Sequence, residues 1–152
     1  MVKILFVCHG NICRSPMAEF VMRDLVNRAG MGNQFHIASA ATSTEEIGNP
    51  VHYGTRNKLR EVGISTEGKY AVQLKRSDYK NYDYLIGMDS MNRRNILRMV
   101  GGDDEGKVFN LLEFAGESGD IADPWYTGNF ERTYQDVLRG CTALLNYLQE
   151  QK

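Results

Sequence analysis

The sequence has no excess of charge of either sign. Lys and Arg total 18 and Asp and Glu total 19, a formal net charge of −1. No basic bias marks a nucleic-acid binder, and no acidic tail marks a solvating segment. Long apolar runs are also missing. The opening run, Ile4 to Val7, is far too short for a signal-peptide core or a membrane span. The expectation is therefore a cytoplasmic protein with no nucleic-acid or membrane partner. Cysteine is scarce and odd in number: Cys8, Cys13 and Cys141. Without a secretory signal, three cysteines argue against a disulfide framework. His9, His36 and His52 form no metal-like spacing with them, and a structural zinc needs four ligands. No metal and no cofactor are expected.

What is present suits one globular unit, residues 1–152. At 152 residues the chain is long enough to bury a core, and 42% hydrophobic with 24% charged residues is ordinary for such a unit. Lys3 to Val7 is a continuous apolar run, as a strand buried on both faces requires. A polar, turn-forming stretch follows, Cys8 to Ser15. Ser15 and Pro16 then suit the cap and first turn of a helix. That helix carries Ala18, Val21, Met22, Leu25, Val26 and Ala29 on one face, and Gly30 ends it. Phe35 to Ala40 reads as a second strand. Val51, Thr55, Leu59 and Val62 space a second helix. Tyr84 to Met88 is a third strand, followed by a helix capped at Asp89 or Ser90. Lys107 to Leu111 is a fourth strand, and a long loop spans roughly 113–128. A final helix carries Tyr134, Val137, Leu138, Cys141, Leu144, Leu145 and Leu148. Alternating strands and helices imply a parallel sheet covered on both faces. Ligands of such sheets bind beyond the carboxyl ends of the strands. Cys8 stands there.

The segment Cys8-His9-Gly10-Asn11-Ile12-Cys13-Arg14-Ser15 joins a strand to a helix start. Amides converging at such a turn, and the helix N-terminus behind them, suit a tetrahedral dianion. Gly10 and Asn11 tolerate the left-handed backbone angles a cradle needs. Arg14 can fork two N–H donors onto two phosphate oxygens. The same field favours a thiolate at Cys8, a strong nucleophile, to which Ser15 can donate a hydrogen bond. A cysteine six residues before an arginine is weak alone, with about 0.2 matches expected by chance. The strand before it and the Ser-Pro and helix after it raise its specificity. The bland reading of Cys8 is a small buried hydrophobe at a strand end.

The segment C-H-G-N-I-C-R-S-P resembles the signature loop of the low-molecular-weight protein tyrosine phosphatases. Asp123-Pro124-Trp125-Tyr126 resembles that family's acid loop. The resemblance covers essentially the whole chain. It implies a three-layer, flavodoxin-like α/β fold with a four-stranded parallel sheet and helices on both faces. It implies metal-independent hydrolysis of phosphotyrosine proteins or small aryl phosphates through a phosphocysteine, with inorganic phosphate as product. Cys8 would be the nucleophile, Arg14 the phosphate binder and Asp123 the general acid. The loop residues His9, Gly10, Ile12 and Cys13 would surround the phosphate. Asn11 would stabilise the loop, Ser15 support the thiolate, and Ser39 orient Asn11.

Other residues keep two readings. An Asp-Pro pair alone is a turn; beside Trp125 and Tyr126, Asp123 suits a proton donor over the site. Trp125 is either a stacking face for a phenyl ring or an anchor pinning the loop. Cys13 is either a packing residue or a thiol that captures oxidised Cys8. Cys141 reads as core. His36 and His52 support no assignment. Two departures from the family stand out. The stretch Ser65 to Val72 has Gly68 and Lys69 where relatives often carry a histidine supporting the loop. Thr44-Glu45-Glu46 is acidic where many relatives carry an aromatic, which predicts an altered substrate-peptide preference. An arsenate reductase would need further relay thiols. A protein-arginine phosphatase has threonine where Ile12 stands. A phosphocarrier has no use for Asp123, and a non-catalytic anion-binding module needs no nucleophile.

Overall fold

The computed structural model describes residues 1–151; Lys152, the last residue of the expected domain, lies outside the described residues. Four strands form one sheet in the order β2-β1-β3-β4. They are β1 (Val2–Cys8), β2 (Phe35–Ala41), β3 (Tyr84–Gly87) and β4 (Val108–Asn110), and every pairing is parallel. The helices are α1 (Arg14–Arg28), α2 (Tyr53–Glu61), α3 (Asp78–Asn81), α4 (Ser90–Val100), α5 (Pro124–Thr127) and α6 (Phe130–Glu150).

The alternation of side chains along β1 sorts the core into two layers. Ile4, Phe6 and Cys8 pack with α1 and α6, through Met17, Met22, Cys141 and Leu144. Leu5 and Val7 pack on the other face with Leu85, Ile96, Val100 and Val108, beneath α4. Both faces are thus covered, as the unbroken apolar run of β1 requires. The flavodoxin-like α/β architecture stands as expected.

The chain runs from β1 to β2 on one side, then crosses back over β1 to β3 on the other. The order therefore reverses beside β1, and loops leaving neighbouring strands diverge there. The segment after Cys8 occupies that opening.

Two local expectations change. The stretch 113–128 is not one loop: a 3₁₀ turn spans Leu111–Ala115, and α5 takes Pro124–Thr127. Ser15 does not cap α1. The helix begins at Arg14 with Cys13 at its N-cap and no side-chain cap bond. Ser15 lies inside the first turn because its hydroxyl has another partner.

Candidate active site

The loop between β1 and α1 is held by its carbonyls. The Cys8 and His9 carbonyls accept from the Thr42 and Ser43 amides at 2.9 and 3.0 Å. The Ile12 carbonyl accepts from the His52 amide at 2.9 Å. The Cys13 carbonyl accepts from Thr55 Oγ1 at 3.1 Å and the Met17 amide at 3.2 Å. Carbonyls tied outward leave the amides of Gly10, Ile12 and Cys13 with no acceptor among the described residues. Those amides and the start of α1 form an anion cradle. Among the described residues, Asn11 is the one non-glycine residue with a positive φ, 58°. The left-handed turn falls on Asn11 and not on Gly10.

Asn11 is 1% exposed and spends its whole amide on the loop. Its Oδ1 accepts from the Val72 amide at 3.1 Å, which fixes the other atom as Nδ2. Nδ2 donates to Ser15 Oγ at 2.7 Å and to Ser39 Oγ at 2.9 Å. Ser39 Oγ then sends its proton to Glu19 Oε1 at 2.5 Å. Ser15 Oγ, already accepting from Asn11, has its proton free for Cys8 Sγ at 3.0 Å. The Asn11 amide also points at Sγ, at 3.3 Å. Each bond sets the sense of the next. The chain from Glu19 to Cys8 presents donors to the sulfur, which is the arrangement a thiolate needs.

Glu19 is 2% exposed, and two cations hold it. Arg23 Nη2 lies 2.8 Å from Oε2, and Lys69 Nζ lies 3.4 Å from Oε1. Lys69 also donates to the Ser39 carbonyl at 2.9 Å. Burial lowers the Lys69 pKa, and the charge of Glu19 offsets part of that. Lys69, where a histidine was missed, thus supplies a hydrogen bond behind the loop.

Arg14 is 3% exposed. Its Nη1 donates to Asp89 Oδ2 at 2.6 Å and the Ile121 carbonyl at 2.9 Å, while Nη2 meets Asp123 Oδ2 at 3.4 Å. Burial works against its charge, but the negative charge of Cys8 and the bond to Asp89 hold its pKa above the ordinary value. Asp89 also caps α4, accepting from the Asn92 amide at 2.7 Å. The sequence pattern revealed that cap but not the grip on Arg14.

A cleft of about 110 Å³ brings together Cys8, His9, Gly10, Ile12, Cys13, Arg14, Asp123, Trp125 and Tyr126, with Glu45 and Glu46. Asn11, Ser15 and Ser39 are buried behind it. Asp123 starts α5 as its N-cap, Oδ1 accepting from the Trp125 amide at 3.0 Å. Trp125 is 57% exposed and Tyr126 83%, so Trp125 is no core anchor. Its ring meets the edge of His52 at 5.6 Å, and His52 stacks on Phe130 at 5.4 Å. His52, unassigned from sequence, therefore braces the rim. Gly54 makes room for it, since a Cβ there would meet the Phe130 ring at 2.3 Å.

The Cys13 thiol is pushed up to about 12, by burial first and then by the charges of Cys8 and Asp123. Cys141 is fully buried and its pKa is raised by burial alone. A larger cavity of about 600 Å³, lined by Arg56, Arg60, Lys69 and Tyr70, contains no cysteine. The smaller cleft is the one that brings Cys8, Arg14 and Asp123 together. Among the described residues, no group of three or more His, Cys, Asp or Glu side chains is placed to hold a metal ion. No helix among them is long and apolar enough to cross a membrane.

The family model of the low molecular weight phosphotyrosine protein phosphatases matches residues 3–152. The chain belongs to that family. Membership makes it a phosphatase. It is 42% identical over 154 residues to the low molecular weight protein-tyrosine-phosphatase YfkJ of Bacillus subtilis, covering 100% of this chain and 99% of that protein. The crystal structure of YfkJ superposes with a TM-score of 0.95, covering 100% of this chain and 97% of the other. The phosphatase PtpA of Staphylococcus aureus is 38% identical, covering 97% of this chain and 94% of PtpA. The crystal structure of the low molecular weight protein tyrosine phosphatase SP-PTP of Streptococcus pyogenes is 42% identical with a TM-score of 0.88, covering 97% of this chain and 93% of the other.

Proposed function

We propose that this phosphatase hydrolyses phosphotyrosine in proteins, or small aryl phosphates, by two displacements at phosphorus. The observation that carries the reading is the setting of Cys8. Its sulfur receives the Ser15 hydroxyl at 3.0 Å at the floor of the same cleft that holds Arg14 and Asp123.

In the first displacement Cys8 Sγ attacks phosphorus and the bond to the phenolic oxygen breaks. Asp123 gives its proton to that oxygen, so the tyrosine leaves neutral. Arg14 and the inward amides hold the equatorial oxygens as charge redistributes. In the second displacement Asp123, now a carboxylate, takes a proton from water while the water oxygen attacks the phosphocysteine. The S–P bond breaks, inorganic phosphate departs, and the thiolate returns. Asn11, Ser39 and Ser15 position the loop, and Trp125 and Tyr126 offer the phenyl ring its stacking faces. Ile12 presents only apolar contact, which favours an aryl ester over the P–N bond of phosphoarginine. A cytoplasmic location belongs to the same reading, since its three cysteines are free and the proposed nucleophile works as a thiolate.

The test is hydrolysis of phosphotyrosine, phosphoserine and phosphoarginine peptides by the purified protein with chelator present. Phosphotyrosine should be turned over at least about 10²-fold faster than the others, and Cys8→Ser should abolish turnover while keeping the fold. Preference for phosphoarginine, or activity in Cys8→Ser above a few per cent, overturns the reading.

A further inference from the structure

The mouth of the phosphate cleft is acidic. Glu45 and Glu46 follow β2 and line the cleft with Cys8, Gly10 and Asp123. The Glu45 side chain is 70% exposed and meets His9 Nε2 at 2.8 Å. Glu46 is half-buried, and Asn49 Nδ2 donates to its Oε2 at 2.6 Å. The Glu46 stem lies against the loop: a Cβ placed on Gly10 would stand 3.4 Å from its Cγ. Its charge reaches inward, since Glu46 is among the groups that raise the Cys13 thiol.

Against these carboxylates the cleft sets little positive charge. Arg14 is 3% exposed and engaged by Asp89 and Asp123. His9 is the other basic side chain lining the cleft, and Glu45 already contacts it. Trp125 and Tyr126 add aromatic surface without charge. Once Arg14 and the amides have taken a phosphate dianion, nothing basic at the mouth remains for an acidic neighbour of the phosphorylated residue. Such a neighbour would meet two carboxylates, whereas a lysine or arginine would be attracted. Charges placed at a rim act chiefly through discrimination and association rate.

We propose that Glu45 and Glu46 form a cation-reading subsite beside the phosphate cradle, selecting phosphotyrosine segments that carry lysine or arginine next to the phosphorylated residue. The proposal rests on the phosphotyrosine reading above and goes beyond it by naming the substrate's flank. The partner is a basic phosphopeptide segment, and the specificity lies outside the residues that perform the displacement.

The test compares two phosphotyrosine peptides of equal length, one flanked by lysines and one by glutamates. The parent should favour the lysine peptide by about 3- to 20-fold in kcat/KM at low salt, two exposed ion pairs each giving up to about 5-fold. The preference should sit mainly in KM and shrink with added salt. In the Glu45→Gln, Glu46→Gln double variant the ratio should fall to about one or two. Glu45→Gln alone alters an exposed side chain, so it keeps the test open if the double variant folds poorly, and it should lose about half of the preference on a logarithmic scale. Equal turnover of the two peptides by the parent overturns the subsite alone. So does a preference that survives both variants. No turnover of either peptide, with phosphoarginine hydrolysed, overturns the phosphotyrosine reading and the subsite with it.

Discussion

Glu19→Gln tests whether a carboxylate four links away sets the hydrogen bond at Cys8, the proposed nucleophile. Glutamine is nearly isosteric, so packing stays and only charge and hydrogen-bond sense change. Both carboxylate oxygens of Glu19 face donors. Oε1 receives Ser39 Oγ at 2.5 Å and stands 3.4 Å from Lys69 Nζ; Oε2 stands 2.8 Å from Arg23 Nη2. Whichever way the glutamine amide turns, its NH₂ meets a donor. One mismatch between buried donors costs about 1–3 kcal/mol. Lys69, with its side chain 12% exposed, also loses its one carboxylate partner among the described residues. Arg23 is 45% exposed and recovers through water, so its share is discounted. A stability loss of about 2–4 kcal/mol follows, read by urea denaturation. The kinetic effect follows from the same chain. The Val72 amide still fixes the sense of the Asn11 amide, but a Ser39 proton turned away from Glu19 competes with Asn11 Nδ2, so the bonds from Asn11 to Ser39 and Ser15 slacken and Ser15 presents its proton to Cys8 less firmly. A hydrogen bond to a charged group is worth about 1.5–3 kcal/mol, so partial loss should lower kcat/KM on an aryl phosphate about 10-fold. Alkylation of Cys8 by iodoacetate at fixed pH should slow in parallel. If Glu19→Gln unfolds more easily yet keeps kcat/KM and alkylation within about two-fold of the parent, the directional reasoning is wrong and Glu19 serves the fold alone.

Three further outcomes are expected. Asp123→Asn keeps an N-cap for α5 and removes the proton, so it should slow poor leaving groups by about 10²–10⁴-fold and good ones far less; equal slowing across a leaving-group series would show that Asp123 only shapes the loop. Mild peroxide should oxidise the Cys8 thiolate to a sulfenic acid, and attack by the Cys13 sulfur should expel water and form a disulfide that dithiothreitol reverses; peptide mapping that finds Cys8 paired with Cys141, or only over-oxidised, would exclude this. Cys13, held up to about 12 in the fold, ionises near pH 8.5 when unfolded, so its raised pKa contributes stability that is complete below that pH and lost as pH climbs toward 12. Stability should fall by about 1.4 kcal/mol per pH unit for this thiol, and Cys13→Ala should flatten the urea-midpoint curve between about pH 9 and 10 by one proton.

Much of this was legible in the sequence because the chemistry is local. Eight consecutive residues carry the proposed nucleophile, the inward amides and Arg14, and their strand and helix flanks show in periodicity. What was not legible lies across long separations. Asp89 reads as a helix cap, and only the fold brings it 75 residues back to Arg14. Lys69 reads only as a residue standing where relatives often carry a histidine, because nothing near it in sequence shows Glu19 and Ser39 waiting 50 and 30 residues away. His52 belongs to no motif; it matters through its stack on Phe130 and its edge against Trp125. Ser15 illustrates a local rule giving way to a tertiary one. Its position favours a cap, but a hydroxyl that can reach both Asn11 and Cys8 is worth more in the helix, and Cys13 stands at the N-cap without a side-chain bond. The stretch 113–128 held turns too short to show a period.

The two carboxylates on Arg14 have unequal holds, and that inequality organises the proposed reaction. Nη1 is clamped by Asp89 at 2.6 Å and by the Ile121 carbonyl at 2.9 Å, from one side of the guanidinium. Nη2 has only the longer contact to Asp123, at 3.4 Å. A buried guanidinium fixed on one nitrogen cannot swing, so its plane is set before any phosphate arrives. The looser nitrogen is the one a phosphate oxygen can take, and taking it releases Asp123. A dianion beside the thiolate and the Asp89 carboxylate places four negative charges around one arginine, with partial charges from the amides and α1 to help. A charged Asp123 would add a fifth. In the proposed reaction Asp123 supplies the proton that a departing tyrosyl oxygen needs. Asp89 holds one side of the arginine and Asp123 the looser side, and in the proposed reaction that exchange would connect phosphate binding to proton delivery.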